Sequence, residues 1–404
     1  MTLTPVKAPP PRGDFVHSTP EERERRLSLL REGMAQQGLA ALVVCGRDDI
    51  RYRGRTFWVS DVWQLLADTH VVILPEGDPI FIGGQVFGLE QAEQALWPGE
   101  FRVSGLSGVE IADVLSSNGL GDAAVGITGL SDASFAAWHL QQITEALPGL
   151  EIHDATQLFE DARHTNSDEE LYYLRVTSEL FNDIYEVLEP SIRPGMTEIE
   201  LAAESHKVSR EFGLRDPMVL MQTSPYGPLS FGTTKVIEKE DIVTLWIESA
   251  GPTGYWLEYR RCYSFGPPTP GAQEFWDLSV DSLNAGLAAM KPGAMASAFV
   301  EGVHNYLVEN SEYHLGYTHA SNPHSMFSLH GIDCDAIKGV WVPGNDRVLK
   351  DTEVVNIHPT VEFKDHATFE KYSWLGITDN AIVTEEGGVL MTHSPDLPDG
   401  FKEL

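Results

Sequence analysis

Twice in this chain, about a hundred residues apart, a long amphipathic pattern gives way to a basic residue and a Pro-Gly pair and then to a second helical pattern. The first copy is SDEELYYLRVTSELFNDIYEVLEPSI followed by RPGMTEIELAAESHKVSREFG, and the second is PGAQEFWDLSVDSLNAGLAAM followed by KPGAMASAFVEGVHNYLVEN. In the first copy Leu171, Leu174, Phe181, Ile184, Tyr185 and Leu188 share one helical stripe. Ser167 with Glu170, and Thr197 with Glu200, have the spacing of capping boxes, while Pro190 and Gly213 mark the stops. Strand-like runs follow each copy: MVLMQTS and DIVTLWIE after the first, EVVNIHPTVEF after the second. A duplication of this kind predicts two related α+β halves about an approximate two-fold axis, with a site in the groove between them. The plainer reading is two unrelated helical hairpins that happen to share a Pro-Gly turn.

Upstream, TPEERERRLSLLREGMAQQG has helical spacing and ends at Gly38, LAALVVCG reads as a buried strand, and HVVILPEGDPIFIGG reads as a hairpin turning at Glu76-Gly77-Asp78. SGVEIADVLSSNGLG into AAVGI, and SFAAWHLQQITEALPG into LEIHDA, repeat helix then strand. This alternation predicts an α/β domain over residues 1–162, ahead of the duplicated domain over 163–404. With 60 Asp and Glu against 28 Lys and Arg the formal net charge is -32, which disfavours nucleic acid and anionic membrane surfaces as partners. No stretch nears the roughly 20 apolar residues of a membrane span. The Pro-rich start MTLTPVKAPPPRGDF has none of the apolar core of a secretory signal. Cys45, Cys262 and Cys334 are scattered without CxxC spacing, so the expectation is a reducing, cytoplasmic compartment.

Chemistry enters at WIESAGPTGYWLEYRR, residues 246–261. If Pro252-Thr253-Gly254 is a three-residue hairpin loop with Gly254 at positive φ, residues whose numbers sum to 506 face each other, and Glu248 meets Glu258. Like charges opposed across a ladder destabilise it unless a cation lies between them. A metal ion is one candidate. Arg260, on the face of Glu258, is the other, and gives the plainer reading of a Glu-Arg-Glu ion cluster. Seven of the 14 histidines fall between 314 and 393, among them His330 in SMFSLHGIDCD and His358 in VVNIHPTVEF. One histidine in such a run is more often a hydrogen-bonded core residue. Two of them set against two glutamates form a divalent-metal ligand set with open positions.

The Pro-Gly helices, the hairpin with Glu258 three residues after Tyr255 and Arg261 three further on, the His330-Gly331 pair, the strand ending in His358-Pro359 and the closing DNAIVTEEGGVLMT together resemble the creatinase/aminopeptidase P/methionine aminopeptidase superfamily. The resemblance implies an α/β N-terminal domain of the creatinase and prolidase type followed by an α+β "pita-bread" catalytic domain with internal pseudo-two-fold duplication. It also implies a homodimer in which the first domain of one chain borders the groove of the other. RYRGRTFWVSDVWQLL, with Phe57, Trp58 and Trp63, is a candidate for that contact or else a capped core segment. Peptidases of this family hold two metal ions on two aspartates, a histidine and two glutamates. Carried over by motif, those positions fall on Glu248, Glu258, His330, His358 and Thr378, and the substrate-facing histidine falls near Leu229.

With a carboxylate lost at Thr378 and another replaced at His358, the resemblance implies fewer ions than two. The expected cofactor is one divalent ion (Zn, Mn or Fe) on Glu258, His330 and His358, with Glu248 as fourth ligand or general base. Metal-free catalysis by the same four residues, as in creatinase, stays open. Tyr255, Arg261, Tyr226 and Trp256 are the expected substrate-binding residues. Trp246, Phe231, Trp341 and Trp374 add aromatic surface that suits a planar or quaternary-ammonium small molecule, or simply core. The expected activity is hydrolysis of a non-peptide C–N bond in a small molecule. Xaa-Pro aminopeptidase or prolidase activity, a lyase on the same scaffold and a non-catalytic binding protein are the alternatives.

Overall fold

The computed structural model describes residues 16–63, 67–84, 97, 99–132, 134–223, 229–311, 314–315, 329–331, 334, 338–340, 347–357, 361–362, 372, 375–391 and 401–404. They form two compact units that divide between Glu169 and Glu170.

In the first unit, helix α1 (Pro20–Gln37) starts where the Thr19 hydroxyl accepts the Glu22 amide and stops at Gly38, whose φ of 69° is left-handed. Strands β1 (Ala41–Gly46), β2 (Thr69–Ile73) and β3 (Ile80–Gly83) pair antiparallel, and Gly77 at φ 84° makes the turn between the last two. Strands β4 (Glu100–Val103), β5 (Ala124–Ile127) and β6 (Glu151–Asp154) join in parallel, giving one sheet in the order β4-β3-β2-β1-β5-β6. Cys45, Val72, Ile82 and Ile127 pack on Ile111 and Leu115 of α3 (Ser107–Ser117) and Ile143 of α4 (Ala137–Ala146). The short helices α2 (Gly54–Trp58) and α5 (Thr156–Ala162) complete the unit. Phe57, Trp58 and Trp63 are buried, with Arg26 over Trp58 and Arg53 over Trp63 at 5.1 and 4.7 Å. They serve as core in their own unit.

The second unit is built on α6 (Asp168–Leu188), α7 (Glu198–Glu211), α8 (Pro270–Ala289) and α9 (Ser297–Asn310). Strands β7 (Arg215–Thr223), β8 (Ile242–Ala250) and β9 (Trp256–Ser264) form an antiparallel meander that β17 (Phe401–Glu403) extends in parallel. A second sheet has the order β12-β11-β13-β15-β16, from β11 (Leu329–Gly331), β12 (Lys338–Val340), β13 (Val354–Ile357), β15 (Asp379–Thr384) and β16 (Gly387–Leu390). The two-residue strands β10 (His314–Leu315) and β14 (Val361–Glu362) pair separately.

The duplication extends to individual hydrogen bonds. Ahead of α7, Gly195 N donates to Ile237 O at 2.8 Å and Glu198 N to Lys235 O at 3.0 Å; ahead of α9, Gly293 N donates to Leu349 O at 2.9 Å and Ala296 N to Arg347 O at 2.9 Å. Gly195 and Gly293 both have positive φ, 92° and 84°, which their Pro-Gly turns require. The Lys235 ammonium bonds Asp241 at 2.6 Å, and the Arg347 guanidinium bonds Glu353. Each acid then caps its own turn, Asp241 taking the Glu238 amide and Glu353 the Lys350 amide, one residue before β8 and β13 begin. Two hairpins alike by chance would not share an ion pair at the same register.

Candidate active site

The turn between β8 and β9 sets the site. Gly251 N donates to Tyr255 O at 2.9 Å, enclosing Pro252-Thr253-Gly254, and Gly254 has φ 81°. A three-residue loop with its last residue left-handed fixes the register, and Glu248 stands directly opposite Glu258. Both are buried, at 6% and 3% exposure. Burial pushes the Glu248 carboxyl well above its ordinary range, and the charge of Glu258 pushes it further the same way.

Alternation along β9 sorts its side chains. Tyr259 and Arg261 face α6: the Tyr259 hydroxyl meets Ser178 Oγ at 2.8 Å and its ring stacks on Phe181. Arg261 donates to Asn182 Oδ1 at 2.9 Å and Glu189 Oε1 at 3.2 Å, with its guanidinium over Tyr185. Trp256, Glu258 and Arg260 occupy the other face, together with Trp246 and Glu248 of β8. Arg260 donates to the carbonyls of Gly376 and Ile377 at 2.9 and 3.0 Å and lies over Trp246 at 5.3 Å. Among the described residues, burial and the charge of Glu258 are what shift Glu248. Of the two candidates that spacing left open, a metal ion or Arg260, the arginine is engaged in tying β9 to the segment before β15, and Glu248 has no cationic partner among the described residues.

That tie joins the two sheets. Arg260 N donates to Thr378 O at 3.3 Å, and Asn380 Nδ2 donates to Glu258 O at 3.0 Å. Asn356 Nδ2 reaches Asn380 Oδ1 at 3.0 Å and Asp379 O at 3.1 Å, and Asn356 pairs with Asn380 on one side and His330 on the other. Val355, Ile357, Ala381 and Val383 turn the opposite way, onto Phe275 and Leu283 of α8 and Phe299 of α9. The outcome is a transverse polar row: Glu248, Glu258, Asn380, Asn356 and the Cα of His330. Sequence reasoning missed the two asparagines. Their signal was there, an uncharged polar residue in the middle of each apolar run, VVNI and DNAIV.

Of the expected substrate-binding residues, Trp256 shares the face of the pair and is buried. Tyr255 is buried and donates to Glu170 Oε1 at 2.8 Å, so its hydroxyl braces α6. Arg261 is likewise engaged on the α6 side and is not brought to the pair. Tyr226, His358, Trp341 and Trp374, together with the side chain of His330, lie outside the described residues. Phe231 is described and is 67% exposed. Leu229, where the family's substrate-facing histidine falls, is partly buried.

Among the described residues no three His, Cys, Asp or Glu side chains gather to hold a metal ion. The two carboxylates nonetheless fit a divalent cation. They are opposed and buried, and no cation among the described residues balances Glu248, which is the donor chemistry that such an ion compensates.

Fold and site together define a two-unit protein whose second unit duplicates a helix-and-strand half around a buried acid pair. Residues 26–165 match the Creatinase/Prolidase N-terminal domain and residues 173–385 match Metallopeptidase family M24. The chain belongs to family M24, within the creatinase, aminopeptidase P and prolidase superfamily of pita-bread hydrolases. It is 24% identical over 290 residues to the creatinase of Bacillus sp. (strain B-0618), covering 68% of each chain. It is also 24% identical over 249 residues to an uncharacterized peptidase of Bacillus subtilis, covering 61% of this chain and 67% of that one. An Xaa-Pro dipeptidase from Bacillus anthracis superposes with a TM-score of 0.72 at 21% identity, over 92% of this chain and 98% of its own. No helix among the described residues is long and apolar enough to cross a membrane.

Proposed function

We propose that this chain hydrolyses a non-peptide C–N bond in a small molecule, with Glu248 and Glu258 as its proton-transfer pair. The observation that carries the reading is the direct opposition of two buried carboxyls, with nothing cationic set against Glu248 among the described residues. Such a pair holds one proton between its two carboxyls at pH values where ordinary glutamates have none. In hydrolysis the unprotonated carboxylate takes a proton from the attacking water as the water oxygen bonds to carbon. The protonated carboxyl gives its proton to the nitrogen as the C–N bond breaks.

A divalent ion held by Glu258 and Glu248, with His330 and His358 as the remaining expected ligands, would supply an acidified water and a polarised substrate oxygen. The creatinase relative is the ground for a small-molecule substrate, and the peptidase relatives are the ground for the Xaa-Pro alternative. We read the chain as a cytoplasmic homodimer: Cys45, Cys262 and Cys334 form no disulfide, and dimerisation follows from the family resemblance and is checked by sedimentation. The test is a screen of amides, ureides and amidines beside Xaa-Pro dipeptides, with elemental analysis of the same preparation. Turnover of the small amides or ureides supports the reading, and preferential turnover of Xaa-Pro dipeptides rejects it.

A further inference from the structure

Buried polar atoms in folded proteins are nearly always hydrogen-bonded, because an orphan loses its water without replacement. Among the described residues two such acceptors stand beside the acid pair, along with one donor, Trp256 Nε1. Thr378 is 2% exposed and its Oγ1 has no hydrogen-bond partner among the described residues; Asn356 is fully buried and its Oδ1 has none there either, although its Nδ2 makes two bonds. Register places them together. Asn356 pairs with Asn380, and Thr378 lies two residues before Asn380 on the same edge, so the two are diagonal neighbours across the β13–β15 ladder, about 7 to 8 Å apart. Both belong to the row that contains Glu258, through the Asn380 bond to Glu258 O and the Thr378 bridge to Arg260.

Fold stability does not explain this arrangement. Valine has the shape of threonine without the hydroxyl, and would cost nothing at a site where the hydroxyl bonds to no one. Nor do the orphans neutralise the glutamates, since neither is charged. What they offer is an amide acceptor and a hydroxyl spaced to receive N–H groups from a planar ligand held over the row.

Resting on the hydrolase reading above, we propose that Thr378 Oγ1 and Asn356 Oδ1 form a substrate-binding subsite that accepts the N–H donors of a neutral carbamoyl group, as in a ureide or primary amide. The subsite selects for N–H next to the scissile bond and against fully alkylated nitrogen. Trp246 and Trp256 lie on the same face of the sheet.

The probe is phenylurea, with its fully N-methylated counterpart as the N–H-free control, titrated into the full-length chain and followed by calorimetry. Phenylurea is expected to bind and the methylated compound to bind at least tenfold more weakly. Thr378→Val should weaken phenylurea roughly five- to tenfold, the loss of one hydrogen bond, while melting at or above the wild-type temperature. Thr378→Ser, which keeps the hydroxyl, should restore binding. Absence of phenylurea binding, equal binding of the two probes, or a Thr378→Val variant that binds like wild type overturns the proposal. If Thr378→Val fails to fold, an equal preference for the two probes in wild type and in Thr378→Ser overturns it just as well. The hydrolase reading fails separately: Thr378-dependent binding with no turnover of any C–N substrate sinks that reading and leaves the subsite standing. Turnover that ignores Thr378→Val does the reverse.

Discussion

Replacing Glu248 by glutamine should stabilise this protein in metal-free buffer, and by an amount that grows with pH. Opposed cross-strand side chains are about 5 Å apart, and two unit charges at that separation repel by about 3 kcal/mol at an effective dielectric of about 20. Burial acts in the same direction. Because the folded carboxyl is raised above its ordinary value of 4.5, the folded chain keeps a proton that the unfolded chain gives up. Wild-type stability from this group is therefore fully present below about pH 4.5 and drains away as pH rises toward the folded value. Glutamine carries no such term. Thermal melts of EDTA-treated wild type and Glu248→Gln should nearly coincide at pH 4.5 and separate by roughly 6 to 12 °C at pH 8. Glu258→Gln should give a smaller gain, because it lifts the repulsion but leaves the Glu248 carboxyl buried. A Glu248→Gln variant less stable than wild type at pH 8, or a difference that ignores pH, would refute an unbalanced carboxyl at Glu248.

Three further outcomes follow from the geometry. Gly254→Ala forces a side chain into a left-handed turn and should cost about 1 to 2 kcal/mol in urea unfolding, with loss of activity as the Glu248–Glu258 register loosens. Tyr255→Phe leaves Glu170 without its buried hydroxyl donor and should cost about 1 to 3 kcal/mol while leaving the pH profile of turnover in place, which separates bracing from chemistry. Asn380→Leu removes both the bond to Glu258 O and the one from Asn356, and should cost about 2 to 4 kcal/mol and lower kcat more than it raises KM, as the two sheets part at the site.

The acid pair was legible because it is local. A loop of fixed length fixes the register of the strands that it joins, so Glu248 opposite Glu258 follows from Pro252-Thr253-Gly254 without knowledge of any other part of the chain. The repeated halves were legible for a similar reason, since helix stripes and Pro-Gly turns leave their mark at short range. The place of Arg260 was not legible, because it bonds the carbonyls of Gly376 and Ile377, 116 and 117 residues further on. Knowing which strand lies beside β9 requires the topology, and spacing carries none of it. The same holds for Tyr255 and Glu170, 85 residues apart, and for the asparagines of the polar row, which look like flaws in a strand until the neighbouring strand is placed.

The most direct test of the central claim is turnover of a small amide or ureide in water enriched in heavy oxygen, by wild type and by Glu258→Gln, with products analysed by mass. Hydrolysis at this pair should place one solvent oxygen on the product carbon, and Glu258→Gln should abolish it. Cleavage without solvent oxygen, as in elimination, or full activity in Glu258→Gln would contradict the assignment.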